Sequence, residues 1–172
     1  FDDAMTYMRS SGQDEAIRRL VASGRALLGI CLGMQLLFDR GNEHAEPPAF
    51  GVTPEWVPGL GILHGEVRRL EGRGVKVPHV GWNAADFTAS GERCPLFDGV
   101  VGGTYFYHTH SYVCHPEDSS QVIATTEHGM RFASAVWDGR LVFGTQFHPE
   151  KSSAAGQRVM SNFTSLALRS AL

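Results

Sequence analysis

The sequence predicts a three-layer α/β domain built on a mixed sheet, and three observations carry that reading. Helical apolar spacing opens the chain (residues 1–24) and closes it (Ser153 to Leu172). Between them, from residue 61 onward, short β-branched and aromatic runs read as strands joined by hairpins. Near the start, the apolar run Ala26–Ile30 changes abruptly to a helical period at Cys31. The order α, β, α, then several strands, then α places an antiparallel extension beside a parallel core.

In the first stretch, Ala4, Met5 and Met8 share one helical face, and Ser10-Ser11-Gly12 is a break. Ile17, Leu20 and Val21 form the next apolar face, with Asp14 and Glu15 in its first turn. Ala26–Ile30 is long enough for a buried strand. Residues 32–40 read as a helix, with Met34, Leu37 and Phe38 on one face and Gly41 as its stop. Residues 42–60 hold Pro47, Pro48, Pro54 and Pro58 and read as a surface loop. Strands are predicted at Ile62–Leu70, Val75–Phe87 (interrupted by Pro78 and Gly81), Thr104–Val113, Val122–Thr126, Phe132–Trp137 and Leu141–Phe147. Cys94–Gly99 reads as a turn or short helix, and Asp138-Gly139 as a hairpin turn. In the closing helix Val159, Met160, Phe163, Leu166 and Ala167 form the buried face. No internal repeat or second domain is visible, so residues 1–172 read as a single domain.

Composition excludes several function classes. The formal net charge is −3 with no basic stripe, which gives no support for nucleic-acid binding. No apolar stretch reaches membrane-spanning length. The 3 cysteines are an odd number without disulfide or metal spacing, which points to a reducing, cytoplasmic setting.

Two stretches carry chemistry. In Gly29-Ile-Cys31-Leu-Gly33 the small residues let the chain turn sharply from strand to helix, the geometry of a nucleophile elbow with Cys in place of Ser. Such a turn sets the sulfur at a helix N-terminus, where the dipole and free N–H groups favour thiolate and can hold an oxyanion. A lone Cys is more often a small buried hydrophobe, and only the two glycines with the change of period argue otherwise. The second stretch, Gly144-Thr-Gln-Phe-His148-Pro-Glu150-Lys-Ser-Ser153, starts where the last strand ends. His148 can serve as base, and Glu150, on the same side of an extended chain, can orient the imidazole. With Cys31 they make a Cys-His-Glu triad, defined by roles and not by chain order. His108 and His110 alternate on one strand face and could be two metal ligands, but no third ligand stands at suitable spacing and no metal is expected. Cys94 and Cys114 lack elbow flanks and read as structural, and His44, His64, His115 and His128 as ordinary polar positions.

Gly-Ile-Cys31-Leu-Gly-Met-Gln35 and Gln-Phe-His148-Pro-Glu150 resemble the triad motifs of class I glutamine amidotransferases. Within that family, Pro78-His-Val-Gly81-Trp82-Asn83, Tyr105-Phe-Tyr-His-Thr-His110-Ser111-Tyr112 and the ending His148-Pro-Glu150-Lys151-Ser152 are most similar to the glutaminase subunit of imidazole glycerol phosphate synthase. The resemblance implies a flavodoxin-like three-layer fold and the hydrolysis of glutamine by Cys31, His148 and Glu150, without a cofactor. It implies that Leu32, Gly33, Gln35, Ser111 and Tyr112 hold the glutamine and its oxyanion. It further implies that ammonia passes to a (β/α)8-barrel cyclase subunit, which Trp82, Asn83 and Lys151 face. The amidotransferase components of anthranilate and GMP synthesis share the triad and remain alternatives, as do a Cys hydrolase of the γ-glutamyl hydrolase or peptidase type and a non-catalytic interaction module. The family opens with strands and an oxyanion loop that would precede Phe1. The resemblance therefore predicts a chain that is poorly stable and inactive alone. Val80 stands where Met is usual, and His108-Thr109 where Phe-Val is frequent.

Overall fold

A computed structural model describes residues 1–44, 56–72 and 74–171. Part of the predicted 42–60 loop thus lies outside the described residues. Helix α1 (Asp2–Ser11) ends at Gly12, whose left-handed φ of 73° turns the chain directly into α2 (Gln13–Ala22). Met5 and Met8 are buried, whereas α2 lies on the surface with Ile17 and Val21 half-buried against the core.

Strand β1 (Leu27–Ile30) is followed by α3, which spans only Leu32–Leu36 and not the 32–40 predicted. The physical reason lies in residues 59–63. Their amides take the carbonyls that a longer helix would have used: Leu60 N–H donates to Leu36 O (2.9 Å), Ile62 and Leu63 N–H to Leu37 O (2.9 and 3.0 Å), and Gly61 N–H to Phe38 O (3.1 Å). After α3 the chain enters β2 (Arg40–Gly41), then β3 (Val57–Pro58) and β4 (Gly65–Arg69).

The remaining strands are β5 (His79–Phe87), β6 (Thr104–His110), β7 (Tyr112–Pro116), β8 (Val122–Glu127), β9 (Arg131–Trp137) and β10 (Val142–Thr145). The predicted strand 104–113 is therefore two. At Ser111 the chain leaves β5 and pairs with β4, and the His110 ring donates from Nδ1 to Tyr112 O across the break (2.9 Å). The β9–β10 hairpin forms as predicted, with Asp138 Oδ1 accepting from the Arg140 and Val142 amides at 2.8 and 3.0 Å. A short 3-10 turn (Pro149–Lys151) leads into α4 (Ser153–Ser170).

Strand order along the sheet is β3-β2-β4-β7-β9-β8-β5-β6, with β10 added beside β9 and β1 beside β10. The pairs β1–β10 and β2–β4 are parallel and the others antiparallel. Consecutive residues of β10 face opposite sides of the sheet. Val142 packs with Met5, Met8 and Met34, while Phe143 packs with Phe147, Val159 and Leu166. Helices thus cover both faces, which makes the three layers of an α/β domain with a mixed sheet. Among the described residues, no helix is long and apolar enough to cross a membrane.

Candidate active site

Strands β1 and β10 run parallel in register, Ile30 opposite Thr145, so their carboxyl ends open at the same place. Such ends are where ligands bind in sheets of this kind. Cys31 follows β1 at once, and its amide donates to Thr145 O at 2.7 Å. Its φ of 51° and ψ of −107° put a non-glycine residue where the backbone is strained. The strain fits the sharp elbow read from the flanking glycines. Gly29 is indispensable to it, because a Cβ there would lie 2.5 Å from Gly33 O and 2.7 Å from Met34 N. Gly33 plays a different part: a Cβ on it would meet nothing within 4 Å, and it is its backbone that Gly29 accommodates. Gly29→Ala should cost about 3 kcal/mol in denaturant unfolding, since only backbone can yield. Gly33→Ala should leave stability unchanged or slightly raised, because a Cβ on this half-buried helical Gly has open space and Gly favours the unfolded chain.

The sulfur sits between two backbone-anchored partners. Cys31 Sγ is 3.7 Å from Thr109 O, and Gln146 donates to it from Nε2 at 3.6 Å. Burial pushes the thiol above its ordinary pKa, more than the Leu32 amide and Gln146 pull it down. The expectation that the helix end favours thiolate is thus corrected: a five-residue helix contributes little, and desolvation wins. A half-buried thiol held above its ordinary range needs a base to take its proton.

His148 and Glu150 are joined as the spacing suggested. His148 Nδ1 lies 2.7 Å from Glu150 Oε1. A carboxylate only accepts, so Nδ1 carries the hydrogen and Nε2 keeps its lone pair. That Nε2 is buried and has no hydrogen-bond partner among the described residues, which leaves it available for a proton. His148 and Cys31 rest on the same edge of β6. His148 N–H donates to Tyr107 O at 2.8 Å, and the sulfur stands against Thr109 O, two residues along. Ser152, fully buried, completes the attachment by accepting from Tyr107 N–H (2.9 Å) and donating to His148 O (2.6 Å).

A cavity of about 210 Å³ opens beside the sulfur, lined by Cys31, Leu32, Gln35, Glu43, His110, Ser111 and Tyr112. Of the five residues expected to hold glutamine, four line it and Gly33 does not. The Gln35 amide is not free in it, since Nε2 donates to Tyr112 O and Gln146 Oε1, both at 3.1 Å. Gln35, Gln146 and the sulfur form one hydrogen-bonded chain that fixes the floor of the cavity. Sequence reasoning missed Gln146, Glu43 and Ser152. Gln146 and Ser152 stood inside the second informative stretch, but only the strand pairing shows what they touch. Glu43 carried no local signal; it lines the cavity.

Trp82 is half-exposed, Val80 and Tyr105 more so, and Lys151 is exposed. Asn83 is engaged internally, donating to Glu127 O at 2.8 Å and accepting from Ala84 N–H at 2.9 Å.

An elbow cysteine, a cavity beside its sulfur and a His–Glu pair just beyond the end of the neighbouring parallel strand are the parts that cleavage of an amide through a thioester requires. The family model for class I glutamine amidotransferases matches residues 6–166, and this chain belongs to that family. It is 46% identical over 166 residues to the imidazole glycerol phosphate synthase subunit HisH of Moorella thermoacetica, covering 96% of this chain and 72% of that protein. The HisH subunit of Dehalococcoides mccartyi (strain CBDB1) is 43% identical, over 96% of this chain and 74% of that protein. Among solved structures, a glutamine amidotransferase superposes with a TM-score of 0.62 at 23% identity, covering 93% of this chain and 70% of that one. A likeness at that identity supports the fold.

Proposed function

We propose that this chain, folded as a single domain over residues 1–172, is the glutaminase subunit of an imidazole glycerol phosphate synthase of the cytoplasm. It hydrolyses glutamine to glutamate and ammonia and supplies the ammonia to a (β/α)8-barrel cyclase, which makes imidazole glycerol phosphate and aminoimidazole carboxamide ribotide in histidine biosynthesis. The observation that carries this reading is the attachment of Cys31 and His148 to one edge of β6, beside a cavity lined by Leu32, Gln35, Ser111 and Tyr112.

The steps follow from the groups present. His148 Nε2 takes the Cys31 proton as the sulfur attacks the side-chain amide carbon of glutamine. The Leu32 amide, already directed at residue 31, holds the oxygen as it gains charge. Imidazolium, steadied by Glu150, gives the proton to the departing nitrogen, and ammonia leaves a glutamyl thioester. His148 then takes a proton from water, which attacks the thioester, and returns it to the sulfur as glutamate departs. Glu150→Gln should lower the rate of glutamine hydrolysis about 100-fold with KM little changed, because the amide no longer favours the imidazolium.

The apolar face of the β5–β6 pair, with Val80, Trp82 and Tyr105 exposed, is the surface proposed to meet the cyclase, with Asn83 and Lys151 nearby. The relatives at 43% and 46% identity favour this partner over those of GMP or anthranilate synthesis. Co-expression with the barrel subunit tests the assignment. Stable copurification and glutamine-dependent cyclase turnover are expected. Failure to bind the barrel, with binding to an anthranilate or GMP synthase component instead, would refute it.

A further inference from the structure

We infer that His79, His108 and His110 form a binding site for one divalent d-block cation such as zinc. One ring nitrogen from each lies within 4.8 Å of the other two, and the residues are only 3%, 0% and 6% exposed. The sequence offered two of these histidines; the fold adds the third, because the register of β5 against β6 sets His79 directly opposite His110.

The distances suit an ion. His79 Nδ1 and His108 Nδ1 stand 3.2 and 3.3 Å from His110 Nε2. Two nitrogens on a tetrahedral ion with bonds of about 2.0–2.1 Å lie about 3.3–3.4 Å apart. His110 Nδ1 donates to Tyr112 O, which fixes Nε2 as the atom with a lone pair and supplies the outer hydrogen bond typical of a metal-bound histidine. A purely hydrogen-bonded triad accounts for the cluster less well. The single lone pair of His110 Nε2 would then serve two donors, and His108 Nε2 is in any case buried without a partner among the described residues. The surroundings hold all three rings neutral, at about 4, 2 and 3 for His79, His108 and His110, chiefly through burial, so protons do not compete for the nitrogens near neutral pH. Coordination through His79 Nδ1 places its hydrogen on Nε2. The 3.3 Å contact with Asn83 Nδ2 must then open, while the stronger bond from Asn83 to Glu127 O stays. Three imidazoles are a known zinc set with one position left over. The site joins β5 to β6 at the Ser111 break, where His110 also lines the cavity beside Cys31.

The test is titration of the chelator-treated 172-residue chain with Co2+, followed by displacement with Zn2+. Expected are one ion per chain, the visible bands of a tetrahedral nitrogen-ligated Co2+ without thiolate charge transfer, and loss of both on adding Zn2+. His108→Phe should weaken binding at least about 100-fold, since it removes a ligand outright. His115→Asn, an exposed histidine outside the cluster, should leave binding unchanged. Absence of the bands, their persistence in His108→Phe, or thiolate bands that vanish in Cys31→Ser would overturn the assignment. Should His108→Phe not fold, imidazole 15N resonances of the unsubstituted chain decide: Zn2+ must shift those of the three cluster histidines, and shifts confined to others refute the site.

Discussion

Cys31→Ala should lower glutamine hydrolysis, assayed with the barrel subunit present, by at least about 10⁴-fold, because every covalent step runs through the sulfur. Folding should survive the change. Cys31 is only partly buried, and its backbone strain would persist with Ala. Cys31→Ser should be nearly as inactive, since an alkoxide is harder to generate than a thiolate in a site that already disfavours charge. Glutamine should still bind to either variant, which calorimetry can measure. Equal loss of binding and turnover would mean that Cys31 shapes the cavity and does not attack.

The second large effect is on stability in acid. Burial holds His108 near 2 and His110 near 3, against an ordinary value of 6.5, with His79, His128 and His148 around them adding to the effect. The unfolded chain therefore takes up protons below about pH 6.5 that the folded chain refuses. Stability from these rings is complete above pH 6.5 and is lost as pH falls toward the folded values. Each ring contributes about 1.4 kcal/mol per pH unit in that window, so the two deepest give a slope of about 3 kcal/mol per unit. A domain at the lower end of the typical range of about 5–15 kcal/mol would unfold near pH 4–5 on that slope. Urea unfolding between pH 7 and 4.5, in chelator, measures it. His108→Phe, whose ring would sit against Phe132 and Phe147 as the imidazole does, should remove about half of the slope. Stability unchanged from pH 7 to 5 would contradict the burial argument.

What could be read from the sequence was local. The elbow was legible because Gly29 and Gly33 stand two places either side of Cys31, where the period changes. The His148–Glu150 pair was legible because two residues of extended chain put both on one side. Helix α3 was misjudged because Leu37 and Phe38 do fit a helical face, while the amides of residues 59–63 that claim its carbonyls come from a loop some 20 positions on. The split at Ser111 was hidden in a continuous aromatic and β-branched run; it is decided by which neighbour each half finds, β5 or β4. His79, Glu43 and Gln146 were illegible for the same reason. Their contacts with His110, the cavity and the sulfur depend on register between strands, which one-dimensional spacing does not encode. His128, read as an ordinary polar position, stacks on His79 with ring centroids 4.0 Å apart.

The central claim is that the sulfur of Cys31 attacks the amide carbon of glutamine with His148 as its base. A chloroketone built on the glutamine skeleton, incubated with the chain and its barrel partner and mapped by peptide mass spectrometry, tests it most directly. The account predicts one adduct, on Cys31, slowed by excess glutamine and by His148→Ala. Cys94 and Cys114 should stay unlabelled, since burial pushes the first up to about 12 and the second well above its ordinary value. An adduct on either of those two, or labelling of Cys31 that glutamine does not slow, would contradict it.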